Sequence, residues 1–213
     1  ITSVLVLITL AVARKTYPLP VNLEEGKTAD RGGFTKSYWL YMVAGTLFAA
    51  GMVSYELVGF HLLSKGVISK NFIPVFLAFA TASGVITSLV LGKLYDRYEL
   101  PTIIGAVFLS ALFSPFIFWG NFYWVIIGAL LLGLAYATQD TLLKSIIAGV
   151  LPERKRNFAF GLFYLGYGSG WLAGSIVTGY LYNRSGLYLV IFLMLVQLLA
   201  LPIFFIATKS KKL

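Results

Sequence analysis

Two acidic residues, Glu56 and Asp140, lie inside long apolar stretches. Burying such a group in a bilayer costs about 2.5–3.5 kcal/mol even on lenient insertion scales, so a retained carboxyl there is read first as a binding or proton-handling group. Around Asp140, the residues Gly133, Tyr136, Ala137, Asp140 and Lys144 fall at helical spacing and predict one polar stripe, with Gln139 adjacent. Asp140 precedes Lys144 by four positions, the favourable order for an ion pair along a helix. Two readings follow: an exchangeable pair that binds solute or responds to protonation, or a permanent pair that holds helices together. Glu56 lies eighteen residues beyond Tyr38, with Tyr55 and His61 nearby. It reads either as a proton-coupling carboxyl, whose pKa burial would raise, or as a side chain that reaches water at the mouth of a helix bundle. His61 reads as an interfacial residue or as a proton relay.

Other chemistries are poorly served. The chain has no cysteine and one histidine, so disulfides, thiolate nucleophiles and His-based metal clusters are not expected. No metal or cofactor is expected. Gly168, Gly170 and Ala173 superficially resemble a dinucleotide fingerprint, but no strand precedes them. An intramembrane enzyme is disfavoured, because no serine nucleophile pattern and no paired catalytic carboxylates accompany His61.

The elements that must position these residues are membrane helices. The 213 residues are 59% hydrophobic and only 12% charged, where soluble domains run near 25% charged. Their mean hydropathy is +0.85. Six segments are long enough to cross about 30 Å of hydrocarbon: Tyr38–Leu62, Phe72–Leu94, Pro101–Trp119, Tyr123–Val150, Phe158–Tyr182 and Leu187–Thr208. Asn71 and Pro74 suit the start of the second, and Pro101 the first turn of the third. Gly120-Asn121 predicts a tight turn before the fourth. Pro115 and Pro202 predict kinks.

Residues 1–13 are apolar but too short to span. No positive residue precedes them as in a signal peptide, and Arg14 and Lys15 follow instead. The expectation is the end of a preceding transmembrane helix, hence a piece of a longer protein. Residues 14–37 read as a cytoplasmic linker, 38–208 as a six-helix unit and 209–213 as a cytoplasmic tail. Charge placement sets the orientation. Thirteen of the 17 Lys and Arg residues fall in the linker, the second-to-third loop, the fourth-to-fifth loop and the tail, against Lys65, Lys70 and Arg184 in the opposite loops. By the positive-inside rule the thirteen face the cytoplasm. That asymmetry accounts for the net charge of +9 without nucleic acid.

The stretch Gly92-Lys93-Leu94-Tyr95-Asp96-Arg97 recurs as Gly179-Tyr180-Leu181-Tyr182-Asn183-Arg184, 87 positions later. Ser88 maps onto Ser175, and Tyr38-Trp39 has a looser counterpart in Tyr123-Trp124. The offset equals three helices, so the second copy is inverted in the membrane, as in many secondary transporters. Small residues also recur every fourth position: Ala80, Gly84, Ser88 and Gly92 on one helix, and Gly166, Gly170 and Gly174 on another. Such ladders permit close helix approach.

Gly92-x-Leu94-x-Asp96-Arg97 resembles the signature loop of the major facilitator superfamily. The chain as a whole resembles the C-terminal half of such a transporter. Phe60–Ser69 is similar to the end of the seventh helix in some subfamilies. Gln139-Asp140, Lys144, Pro152 and Phe158–Tyr182 resemble an uncharacterised prokaryotic branch. Glu99 and Leu100 depart from the signature, where glycine and a basic residue are usual.

The resemblance implies an all-α membrane protein: six transmembrane helices forming one half of a twelve-helix transporter, built as an inverted three-plus-three repeat. It places Asp140 on a helix that looks into a central cavity. It makes Gly92, Asp96 and Arg97 a conformational latch, or else an ordinary solvated turn. It sets the two small-residue ladders against helices of a missing N-terminal half, the alternative being packing within this half. The implied function is secondary active transport by alternating access in the plasma membrane, with proton coupling through Glu56 or Asp140 as one form of it. Small organic anions, drugs and metabolites all fit as substrates. Lys144 weakly favours an anionic or zwitterionic one. The competing reading is a self-contained six-helix channel or scaffold acting as a homo-oligomer.

Overall fold

The computed structural model describes Val12, residues 34–150 and residues 156–211. Most of the expected linker and the residues before it lie outside these, as do Pro152 and Arg154. Among the described residues the ordered elements are all helical. They are α1 (Lys36–Ala50), α2 (Tyr55–Ser64), a short 3-10 turn at Lys70–Phe72, α3 (Ile73–Arg97), α4 (Glu99–Ala111), α5 (Phe113–Phe118), α6 (Phe122–Ala137), a π-helical segment at Thr138–Leu143, α7 (Lys144–Val150), α8 (Arg156–Arg184) and α9 (Gly186–Lys211).

Five helical runs are long and apolar enough to cross a membrane: Lys36–Ser64, Lys70–Arg97, Glu99–Phe118, Phe122–Gly149 and Gly186–Ser210. The remaining run, α8, has 29 residues and the length to span, but its glycines, tyrosines and serines dilute its apolar character. Large apolar side chains such as Val85, Ile86, Leu89, Leu165, Leu172 and Ile176 are exposed on the bundle surface. A water-soluble monomer does not present so much contiguous apolar surface, so lipid is the solvent of this face.

Local sequence explains most helix ends. Thr35 caps α1, its hydroxyl accepting from the Tyr38 amide at 3.3 Å. Asn121 caps α6, its carbonyl accepting from Trp124 at 3.4 Å, which makes the expected turn after Gly120. Pro74 stands in the first turn of α3. Pro115 cannot donate to Ala111, and the third span breaks at Leu112 into α4 and α5. Pro202, by contrast, lies inside an α9 that continues to Lys211.

Two expectations need correction. The first span is not one helix. It stops at Ala50 and restarts at Tyr55, with Gly51–Ser54 between. Ser54 caps the new start, accepting from the Leu57 amide at 3.4 Å. Second, Gly92–Arg97 is not a loop. α3 continues through Arg97, and a single residue, Tyr98, separates it from α4.

The packing carries the internal repeat. α1 packs mainly on α8 and α9, and α6 packs on α3, α4 and α5. The first span thus joins the fifth and sixth, while the fourth joins the second and third. The closest crossings are equivalent under the 87-residue offset. Gly133 sits against Ser83, Ala80 and Gly84, and Gly170 sits against Thr46. Thr46 maps onto Gly133, and Ser83 onto Gly170.

The ladders therefore do not behave as the resemblance implied. Gly166, Gly170 and Gly174 face Met42, Thr46 and Ala50 of α1, and a Cβ added at Gly84 would stand 3.0 Å from the Gly133 carbonyl oxygen, all within this bundle. Ser88 bonds its own helix at the Val85 carbonyl, and Gly92 has nothing near the position of a side chain.

A methyl added at Gly174 would run into the Ala50 backbone, whereas one added at Gly105 meets open space. Gly174→Ala should therefore lower the thermal stability of the detergent-solubilised protein by about 1–3 kcal/mol. Gly105→Ala should leave it unchanged or raise it by up to about 1 kcal/mol. Equal effects of the two substitutions in a thermal unfolding series would contradict these crossings.

Candidate functional site

Breaking a helix inside a membrane frees backbone carbonyls that lipid cannot satisfy. At Gly51–Ser54 two side chains from other helices fill that need. The Gln197 amide of α9 donates to the Gly51 carbonyl at 2.8 Å. The Tyr136 hydroxyl of α6 donates to the Val53 carbonyl at 3.1 Å. Gln197 is fully buried. Gly51 must lack a side chain here, because a Cβ would meet the Gln197 side chain and the Leu193 carbonyl.

The second irregularity is repeat-equivalent to the first. Thr138–Leu143 is wound as a π-helix, a form that recurs at functional sites. Its start maps onto Gly51 under the repeat offset. Irregular backbone at matching positions of two inverted halves is a strong pointer to a binding site. The two are coupled through Tyr136, whose ring stacks on Tyr55 at 4.4 Å and 11°.

Beside Tyr136 and the π-helical segment lies a hollow of about 290 Å³ lined by Tyr55, Thr81, Gly84, Val85, Ser88, Tyr136, Ala137, Asp140 and Thr141. Behind it the aromatic chain continues. Tyr136 meets Trp171 at 6.1 Å, and Trp171 meets Tyr167 at 6.1 Å.

Asp140 and Lys144 form the expected pair. The ammonium donates to Oδ1 at 3.1 Å, with 46% of the Lys144 side chain and 59% of the Asp140 side chain exposed. Of the stripe drawn from spacing, Tyr136, Ala137 and Asp140 line the same hollow and Lys144 pairs with Asp140, whereas Gly133 is buried against α3. Gln139 is half-buried, and its side-chain oxygen has no partner among the described residues.

Glu56 stands in the first turn of α2, on an exposed stripe with Phe60 and Leu63. The packing of the described residues leaves it exposed. It remains within electrostatic reach of the Tyr136 hydroxyl, as does Asp140. His61 belongs elsewhere. It is buried near the far end of α2, its Nδ1 3.2 Å from the Tyr182 hydroxyl and its ring 4.8 Å from that of Phe118.

Asp96 and Arg97 end α3 with no ion pair between them. Arg97 instead lies over the Tyr98 ring at 5.1 Å, and its repeat counterpart Arg184 lies over Tyr180 at 5.4 Å.

The sequence reasoning missed Gln197, Trp171 and Tyr167, and with them the helix break. Gly51 followed by the cap residue Ser54 was the available signal.

A profile of the Major Facilitator Superfamily matches residues 37–212. The chain belongs to the major facilitator superfamily. It is therefore a multi-pass membrane protein of transporter type. It is 33% identical over 168 residues to uncharacterized proteins of Mycobacterium tuberculosis and Mycobacterium bovis. The match covers 79% of this chain and 41% of those relatives, so the chain spans well under half of their length.

Gln197→Leu leaves the Gly51 carbonyl buried without a donor, which should lower stability by about 1–3 kcal/mol. Tyr136→Phe removes one hydrogen bond but keeps the ring stack, and should cost about 1 kcal/mol. Thermal unfolding in detergent would read both. An unchanged midpoint for both variants would mean that the break is held by other contacts.

Proposed function

We propose that this chain forms one wall of a secondary active transporter that moves a small solute by alternating access. The observation that carries the reading is the pair of backbone interruptions at repeat-equivalent positions, Gly51–Ser54 and Thr138–Leu143, linked through Tyr136, the second of them carrying an exposed Asp140–Lys144 pair. Interrupted helices bend at a defined point, which a rocking bundle needs. The other wall would be a second six-helix half. The greater length of the mycobacterial relatives supports that, as does α3, the least buried of the five apolar helices. The charge asymmetry supports an orientation in the plasma membrane with both ends of the six-helix unit cytoplasmic.

In this reading Asp140 and Lys144 are exchange partners rather than a structural clamp. Exposed ion pairs contribute at most about 1 kcal/mol to stability, so this pair has little structural work to explain its position in a membrane span. Glu56 is the second carboxyl available for binding or for carrying a proton.

The test is accumulation. Full-length protein reconstituted in liposomes should concentrate a solute against its gradient when a proton gradient or membrane potential is imposed. Asp140→Asn should reduce the initial rate by about tenfold or more, at a thermal midpoint within about 1 kcal/mol of the parent. Downhill flux alone would instead indicate a channel. Near-normal accumulation by Asp140→Asn would make the pair structural.

A further inference from the structure

The chemistry of the hollow narrows the solute. We propose that the site beside Tyr55, Tyr136 and Asp140 receives an organic cation with an apolar, ring-sized body. The inference rests on the transporter reading for its purpose but on the wall itself for its chemistry.

Ring faces carry negative electrostatic potential and attract cations, most strongly when water is excluded. Here Tyr55 and Tyr136 form a stacked pair at 4.4 Å, extended by Trp171 and Tyr167. Asp140 is the only charged residue lining the hollow; Lys144, its ion-pair partner, and Glu56 lie outside that lining. Lys144 is engaged by Asp140 at 3.1 Å, so its ammonium is not offered to an anion, which removes the ground for preferring an anionic or zwitterionic substrate. Glu56 has no ion-pair partner among the described residues. The wall is therefore net negative, and an anion would meet both a carboxylate and electron-rich rings.

Thr81, Ser88 and Thr141 add three hydroxyls to the lining. The hollow of about 290 Å³ matches the lower end of small-molecule pockets, which run from about 300 to 1,000 Å³.

The test uses two probes with the same body and opposite charge, tetraphenylphosphonium and tetraphenylborate, on full-length protein in nanodiscs, with empty nanodiscs subtracted. Phosphonium should bind saturably. Glu56→Gln should weaken it by about tenfold, and Tyr136→Leu by at least as much. Glu56 is exposed, so its substitution leaves the fold intact and keeps the test valid even where Tyr136→Leu is unstable. Tetraphenylborate binding as tightly as the phosphonium overturns the proposal, and so does phosphonium binding that Glu56→Gln leaves unchanged. If phosphonium fails to bind while another solute is accumulated, the cation assignment falls and the transporter reading stands. If phosphonium binds with the expected sensitivity but nothing is accumulated, the assignment stands and the transporter reading falls.

Discussion

Lipid offers a backbone no hydrogen bonds, and that constraint shapes this bundle at the one level where its first span is broken. An uninterrupted helix satisfies its own carbonyls. The break at Gly51–Ser54 cannot, so two other helices must supply donors at fixed positions: Gln197 from α9 and Tyr136 from α6. Those two bonds fix how α1 and α2 stand relative to the fourth and sixth spans. A break that must be served from outside is also a point whose geometry is shared by three helices, so bending it moves all three.

The core is divided at the same level. One buried cluster gathers Tyr38, Phe48, Ile103, Leu142, Phe163 and Phe204, and the other gathers Val58, Leu62, Phe113, Ile117, Leu132 and Leu193. Tyr136 packs against both. A close-packed core resists gradual deformation, so two cores joined through one half-buried tyrosine suit motion between two arrangements better than one continuous core. The glycine crossings work in the opposite direction. Gly133 on α3 and Gly170 on α1 bring backbones together and hold the swapped first helices of each repeat in place. Rigid crossings and a soft mid-plane are complementary parts of one device.

Much of this was legible in the sequence, because its strongest signals are long-range averages. Six apolar runs, the lopsided Lys and Arg distribution and the 87-residue echo of Gly92–Arg97 each rest on many residues. The Asp140–Lys144 pair was legible because four-residue spacing survives even in a segment that the helix winds differently. What failed depended on single contacts. Gly51, where Gln197 must fit, was marked only by the cap residue Ser54 three positions on, a signal too weak to predict a break inside an apolar run. Spacing placed Tyr136, Ala137 and Asp140 on one face but could not show that Gly133 on that face is buried by α3 while Asp140 stays exposed. The small-residue ladders gave the spacing of a close crossing but not the identity of the helix across it. The signature stretch suggested a loop because charges end membrane segments, yet a helix can carry Asp96 and Arg97 in its last turn once it has reached water.

The position of the Asp140–Lys144 pair gives the proposed mechanism its physical lever. Two unit charges near 4 Å attract by about 1 kcal/mol in bulk water and by about 4 kcal/mol at the effective dielectric of a protein surface. Here both side chains are about half exposed, so their attraction depends on whether water fills the space beside them. A state that opens this wall to water loosens the pair and frees Asp140 for a competing cation. A state that closes it tightens the pair, unless a bound solute has taken the place of Lys144. The same two residues thus respond to both occupancy and conformation, which is what coupling one to the other requires.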